Sequence, residues 1–210
     1  MPKVLVVDDH AIVRKGLKII LKEIGINKEV DESSKGAEAL KLFSSKKYDL
    51  VLLDLNMPDT DTNMLISEFL KKDSDVKILV ISMNNEDVFA VNLLAKGVKG
   101  FVSKNNTDET IKEAILKVLD NKKYLSENVL DKLIENTKAP QPSGNVFEEL
   151  SERELEITKL ICSGLGTKEI SNTLNLKANT ISTVKTRIFE KLQIKTSLDL
   201  AELAKLNGIV

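Results

Sequence analysis

The chain predicts an α/β domain, a (βα)5 doubly wound parallel sheet, followed by a smaller all-α domain of four helices. Three observations carry this. Short apolar runs at residues 3–7, 29–32, 50–54, 77–82 and 100–103 alternate with segments whose apolar residues recur at helical period, and the alternation ends near residue 120. Pro140, Pro142, Ser143 and Gly144 then fall within a few residues of one another, the composition of a linker. Beyond them every periodic segment is helical.

Apart from 29–32, which is mostly acidic, the runs are nearly continuously apolar rather than alternating, as in strands covered on both faces. Each consecutive pair is joined by a helical segment, at 11–24, 36–44, 64–71 and 87–95, with a fifth at 107–119 after the last strand, so the units are right-handed crossovers. Pro58 breaks the chain after the third strand, and Gly97 and Gly100 suit a helix stop and a tight entry into the fifth. A short helix is expected at 126–134, before the linker. Ser151 and Glu154 then form a capping box for a helix carrying Leu155, Ile157, Leu160 and Ile161, which stops near Gly164-Leu165-Gly166. A helix at 167–174, a turn at Asn175 to Ala178 and a helix at 179–193 form a helix-turn-helix, with an amphipathic helix at 197–206 after it. The expected division is 1–123, a connecting segment 124–147, and 148–210.

Hydrophobic content of 42% and charged content of 30% exclude a largely disordered chain. Met1-Pro2-Lys3-Val4 leads directly into the first strand, and no apolar run is long enough to cross a bilayer, so a cytoplasmic protein without a membrane partner is expected. Cys162 sits in an apolar run and reads as an inert thiol. Net charge is -1. Residues 177–195 nevertheless hold Lys177, Lys185, Arg187, Lys191 and Lys195 against Glu190 alone, the electrostatic footprint a DNA-binding element needs, although on charge alone a solvated helix face is the better reading.

Asp8-Asp9, Asp54 and Lys104 each stand at the end of a strand run, where side chains of a parallel sheet converge in one crevice. Clustered carboxylates repel unless a cation neutralises them, and hard oxygen ligands favour Mg2+. With Asp9 and Asp54 as direct ligands and Asp8 acting through water, one Asp54 oxygen remains free to attack a phosphoryl group, and Lys104 and Ser82 stand ready for its oxygens. His10, the single histidine, has no nucleophile motif beside it and reads as a surface residue at a helix start. Ile181, Val184, Ile188 and Leu192 form the apolar stripe of the second helix of the helix-turn-helix.

Val7-Asp8-Asp9-His10, Asp54 followed by Met57-Pro58, Ser82, and Gly100-Phe101-Val102-Ser103-Lys104 resemble the receiver domain of two-component response regulators, a flavodoxin-like fold. Leu150-Ser151-Glu152-Arg153-Glu154, Gly164-Leu165, Lys168-Glu169-Ile170 and Asn179-Thr180-Ile181 resemble the LuxR-type helix-turn-helix. Together they are similar to the NarL/FixJ response-regulator family over nearly the whole chain.

The resemblance implies that Asp54 is the phosphoacceptor, that Asp8 and Asp9 are the metal-binding pair, and that the Asn56 backbone carbonyl completes the Mg2+ shell. It implies that Ser82 and Phe101 are a switch pair and that Lys104 binds the phosphoryl group. Thr180, Ser182, Thr183, Lys185, Thr186 and Arg187 fall where the family contacts DNA. A sensor histidine kinase would be the phosphodonor. The active form would be a homodimer on two half-sites of double-stranded DNA, read through the major groove, and catalysis would be limited to its own phosphoryl transfer and autodephosphorylation. Two departures stand out. Thr60, Asp61, Thr62 and Asn63 replace the usual apolar residue, Asp and Gly after Met57-Pro58, so Thr62 implies a different loop geometry. Lys177 stands where Ser or Thr usually caps the recognition helix. Two other functions compete: a DNA-binding regulator whose receiver is a phosphorylation-independent dimerisation module, and a Mg2+-dependent phosphohydrolase with an aspartyl intermediate, which leaves the second domain unexplained.

Overall fold

Five parallel strands in the order β2-β1-β3-β4-β5 form the first of two compact units of the computed structural model, which describes residues 1–58, 60–83, 86–127, 129–130 and 146–210. The units divide between residues 134 and 135. The strands are β1 (Val4–Val7), β2 (Val30–Ser33), β3 (Leu50–Leu53), β4 (Lys77–Ser82) and β5 (Gly100–Ser103). The helices of this unit are α1 (Ala11–Glu23), α2 (Gly36–Ser45), α3 (Thr62–Lys72), α4 (Glu86–Ala95) and α5 (Asp108–Leu119).

Strands β1 and β3 are buried throughout, as their unbroken apolar runs require. Val4, Val6, Leu50, Leu52, Leu79, Ile81 and Val102 pack with Leu17, Ile20 and Leu21 of α1 and Ile111, Ala114, Ile115 and Val118 of α5. Each of the Val, Leu and Ile side chains contributes about 1.5–3 kcal/mol on burial. The rings of Phe43 on α2 and Phe69 on α3 lie 4.5 Å apart between centroids. Asp61 caps α3 by accepting from Met64 N, Thr107 caps α5 by accepting from Thr110 N, and Gly97 ends α4 at a φ of 99° that a side chain rarely tolerates.

The register matters most at the carboxyl edge. Val7 pairs with Leu53, so Asp8 and Asp54 each stand one residue past a paired position on adjacent strands. The order of strands reverses direction between β1 and β3, which opens a crevice there.

In the second unit a 3-10 turn (Val146–Glu149) precedes α6 (Glu152–Cys162), α7 (Thr167–Leu174), α8 (Ala178–Lys191) and α9 (Ser197–Leu206). The expected capping box forms, with the Ser151 and Glu154 side chains each bonded to the other's backbone N–H. Asn175, left-handed at φ 52°, turns the chain from α7 into α8. Ile157, Ile170, Ile181, Ile188, Leu200 and Leu203 fill the core. Lys177 does precede α8, and its side chain makes no capping bond. The expected linker from 137 and most of the helix at 126–134 lie outside the described residues. No described helix is long and apolar enough to cross a membrane.

Candidate functional site

The crevice is built from strand ends. Asp54 N donates to Val7 O (2.9 Å) and Asp8 N to Ser33 O (3.1 Å), so backbone ladder bonds extend past the strands and fix both aspartates where their side chains are almost wholly enclosed. Lys104, just beyond β5, is anchored through its backbone N–H to Ser82 O at 2.9 Å. Its Nζ reaches Asp8 Oδ2 at 2.7 Å and Asp54 Oδ2 at 2.6 Å. The remaining oxygens are held by the turns that follow: Asp8 Oδ1 accepts from His10 N (2.7 Å), and Asp54 Oδ1 from Asn56 N (3.2 Å).

One ammonium thus serves two buried carboxylates. Burial alone would lower its pKa, and the hydrogen bonds it donates to Asp54 and Asp8 outweigh that, holding it above the ordinary lysine value. A third carboxylate, Asp9, receives none of this charge. Its Oδ1 is buried without a hydrogen-bond partner, and the His10 ring Nδ1 is 2.8 Å away without the geometry of a bond. Ligand atoms of Asp8, Asp9, His10 and Asp54 lie within 4.8 Å of one another. An orphaned oxygen among three carboxylates and one ammonium fits a hard divalent cation such as Mg2+. His10 borders this group while its own side chain remains mostly exposed.

The sequence-predicted residues divide. Asp8, Asp9, Asp54 and Lys104 come together. Ser82 is fully buried at the end of β4, and Phe101, 1% exposed, points into the core opposite Val80 in the register. Asn56 meets Asp54 through its backbone N–H, while its carbonyl is the atom expected at a metal.

Sequence reasoning missed Arg14. Its Nη1 donates to Asp8 O (2.8 Å) and Asp9 O (3.2 Å), and its Nε to Glu32 Oε2 (3.2 Å), so it pins the turn carrying the acidic pair to the end of β2. Lys18 and Arg14 overcome the burial of Glu32 and hold its carboxyl below the usual range. The available signal was spacing: Arg14 lies on the first turn of a helix that begins two residues after Asp9.

The loop that departs from the family pattern is fixed by its own side chains. Thr60 Oγ1 accepts from Gly36 N (3.2 Å), Thr62 Oγ1 donates to Leu55 O (3.3 Å), and Lys96 Nζ donates to Asn63 Oδ1 (3.0 Å). Thr62 is the first residue of α3 and does not take a positive φ. Position 62 needs no glycine, because Asp61 caps α3 and Thr62 begins it without a positive φ.

On α8, Thr180, Ser182, Thr183, Thr186 and Arg187 are exposed, and Lys185 is half-buried with Nζ 5.3 Å from the Phe189 ring centroid. Val184 is intermediate, whereas Ile181, Ile188 and Leu192 are buried. The hydroxyls of Thr183 and Thr186 donate to Asn179 O and Ser182 O, so they present their methyl groups and an accepting oxygen outward.

Residues 4–116 match the response regulator receiver domain, and residues 148–204 match bacterial regulatory proteins of the luxR family. Response regulator GacA of Pseudomonas aeruginosa is 35% identical over 210 residues, covering 100% of this chain and 98% of that protein. Response regulator UvrY of Escherichia coli is 32% identical over 209 residues, covering 100% and 96%. Among solved structures, RcsB from Salmonella enterica serovar Typhimurium, bound to promoter rprA with the phosphomimetic BeF3-, superposes with TM-score 0.66 at 25% identity and 100% coverage of both chains. The same protein bound to promoter P1flhDC gives 0.70 at 24% identity, covering 98% of each.

Proposed function

Because the chain belongs to the response-regulator family, with a receiver domain and a LuxR-type DNA-binding domain, we propose that Asp54 is its phosphoacceptor and that phosphorylation there controls DNA binding by the second domain. The observation that carries this is the shared ammonium: Lys104 bridges Asp8 and Asp54 in an enclosed crevice, poised to transfer its hydrogen bond to a phosphoryl oxygen.

In the transfer, one Asp54 oxygen attacks phosphorus, the new O–P bond forms, and the N–P bond to a sensor kinase's phosphohistidine breaks, leaving the imidazole with the electron pair. Asp8, Asp9, Asp54 and the Asn56 carbonyl would hold Mg2+, which supplies positive charge to the phosphoryl oxygens. Ser82 donates its hydroxyl to the same oxygens. Apart from this self-directed transfer and its hydrolytic reversal, the chain is not an enzyme. It works in the cytoplasm, where phosphorylation favours a homodimer whose two α8 helices, through Thr180, Ser182, Thr183, Lys185, Thr186 and Arg187, enter the major groove at half-sites about one turn apart. The boundaries 1–123 and 148–210 mark the receiver and the DNA-binding domain.

Acetyl phosphate with Mg2+ should add one phosphoryl group to the wild type and none to Asp54→Ala, read by intact mass. Modification of the variant at an unchanged rate would sink the assignment. A second reading, a phosphorylation-independent receiver serving as a dimerisation module, is kept open by the self-fixed Thr60 to Asn63 loop; DNA affinity indifferent to beryllofluoride would favour it.

A further inference from the structure

After α5 the chain turns back to the outer edge of β5. Tyr124 N donates to Lys99 O (3.0 Å), and Phe101 N donates to Tyr124 O (3.2 Å), a parallel bridge between Tyr124 and Gly100. The approach needs glycine: a Cβ on Gly100 would lie 2.8 Å from Tyr124 O. Two residues later Ser126 N donates to Glu86 Oε1 at 2.8 Å. Glu86 is the first residue of α4, four positions after Ser82. Ser126 O in turn accepts from Leu130 N (3.1 Å), so the bonded amide stands where a helical turn begins and a backbone donor needs an outside partner.

One three-residue segment therefore bonds to β5, which carries Phe101, and to α4, whose first residue follows Ser82 by four positions. Two backbone bonds hold Tyr124 beside Phe101, and a charge-assisted bond to the Glu86 carboxylate holds Ser126 to α4. Ser82 is itself tied through its carbonyl to Lys104 N, and Lys104 to Asp54.

We infer that Glu86 and Ser126 form a releasable clasp by which the state of the Asp54 site reaches the chain leaving the receiver. This rests on the reading of Asp54 as phosphoacceptor. Displacement of Glu86 removes the acceptor of Ser126 N, so the start of the connecting segment loosens while Tyr124 stays paired to β5. The clasp couples α4 to the segment after α5 and needs no contact between the domains.

Amide hydrogen exchange on the full chain, with and without beryllofluoride and Mg2+, tests it. In the wild type the mimic should slow exchange in peptides spanning Asp54 and Lys104 and speed it in residues 125–130 by roughly tenfold, the equivalent of one lost hydrogen bond. Glu86→Ala should exchange fast at 125–130 in both states, and Glu86→Gln, which keeps an acceptor oxygen, should stay near wild type without the mimic. Wild-type protection of 125–130 in Glu86→Ala overturns the clasp. So does a mimic that protects Asp54 yet leaves 125–130 unchanged. Absence of protection around Asp54 and Lys104 sinks the phosphoacceptor reading instead, and the clasp's signalling role with it.

Discussion

Lys104 Nζ stands 2.6 Å from Asp54 Oδ2 and 2.7 Å from Asp8 Oδ2, a single cation holding two buried carboxylates. Removing it leaves uncompensated buried charge, so Lys104→Met should lower stability in EDTA by about 3 kcal/mol. Mg2+ should recover a larger share of stability in the variant than in the wild type, because the ion then carries the whole neutralising charge. Urea midpoints with and without Mg2+ measure this, and a variant matching wild type in EDTA refutes it. Because the folded-state pKa of Lys104 is raised above 10.5, its stabilisation is complete below that value and fades only as pH climbs through the raised one.

Asp9 makes the opposite prediction. Its Oδ1 is buried and unbonded beside two other carboxylates, so Asp9→Asn relieves repulsion. The melting temperature in EDTA should rise by a few degrees, roughly 1 kcal/mol, while the gain on adding Mg2+ should vanish along with phosphorylation by acetyl phosphate. A variant less stable than wild type in EDTA would show that Asp9 is held by something other than a cation site.

Arg14 acts on the same pair from behind, through two backbone carbonyls. Arg14→Lys keeps the charge and loses the fork that spans Asp8, Asp9 and Glu32. Residues that orient ligands typically contribute about 10–100-fold to metal affinity. Calorimetric Mg2+ dissociation constants should weaken by roughly tenfold in Arg14→Lys and further in Arg14→Ala; unchanged constants would assign Arg14 to folding alone.

Much of this was legible because parallel strands buried on both faces leave uninterrupted apolar runs, and the residue after each run is forced into the crevice. Asp54 and Lys104 could be placed for that reason. Arg14 could not, since it acts through carbonyls and a backbone contact leaves no pattern in side-chain identity. The Thr60 to Asn63 loop was legible as a departure, but its remedy depends on Gly36 N, 24 residues away, reaching Thr60 Oγ1. The Tyr124 edge pairing was equally hidden, because a one-residue bridge has no periodicity.

On α8, Arg187 is exposed while Lys185 lies against Phe189. A phosphate contact from Arg187 would make Arg187→Ala weaken binding to all sequences alike and flatten the salt dependence by about one unit of slope. Fluorescence anisotropy over a salt series reads this. A loss confined to one operator sequence would make Arg187 a base-reading residue instead.

The second domain carries its own acid-sensitive latch. Glu154 accepts from Lys191 Nζ (2.7 Å) and from the Ser151 backbone N–H (2.8 Å), which together bring its pKa down from 4.5 to about 2. Lys191 ends α8 and also donates to Glu149 O, so the latch ties α8 to the start of α6. The depressed value means that the stabilisation is complete above pH 4.5 and disappears as pH falls toward 2. Glu154→Gln should cost about 1–2 kcal/mol at neutral pH, from the ion pair and a weakened cap. Its unfolding free energy should then vary less with pH between 4.5 and 2 than that of wild type. Parallel pH profiles in the two proteins would mean that other carboxylates dominate acid unfolding of this domain.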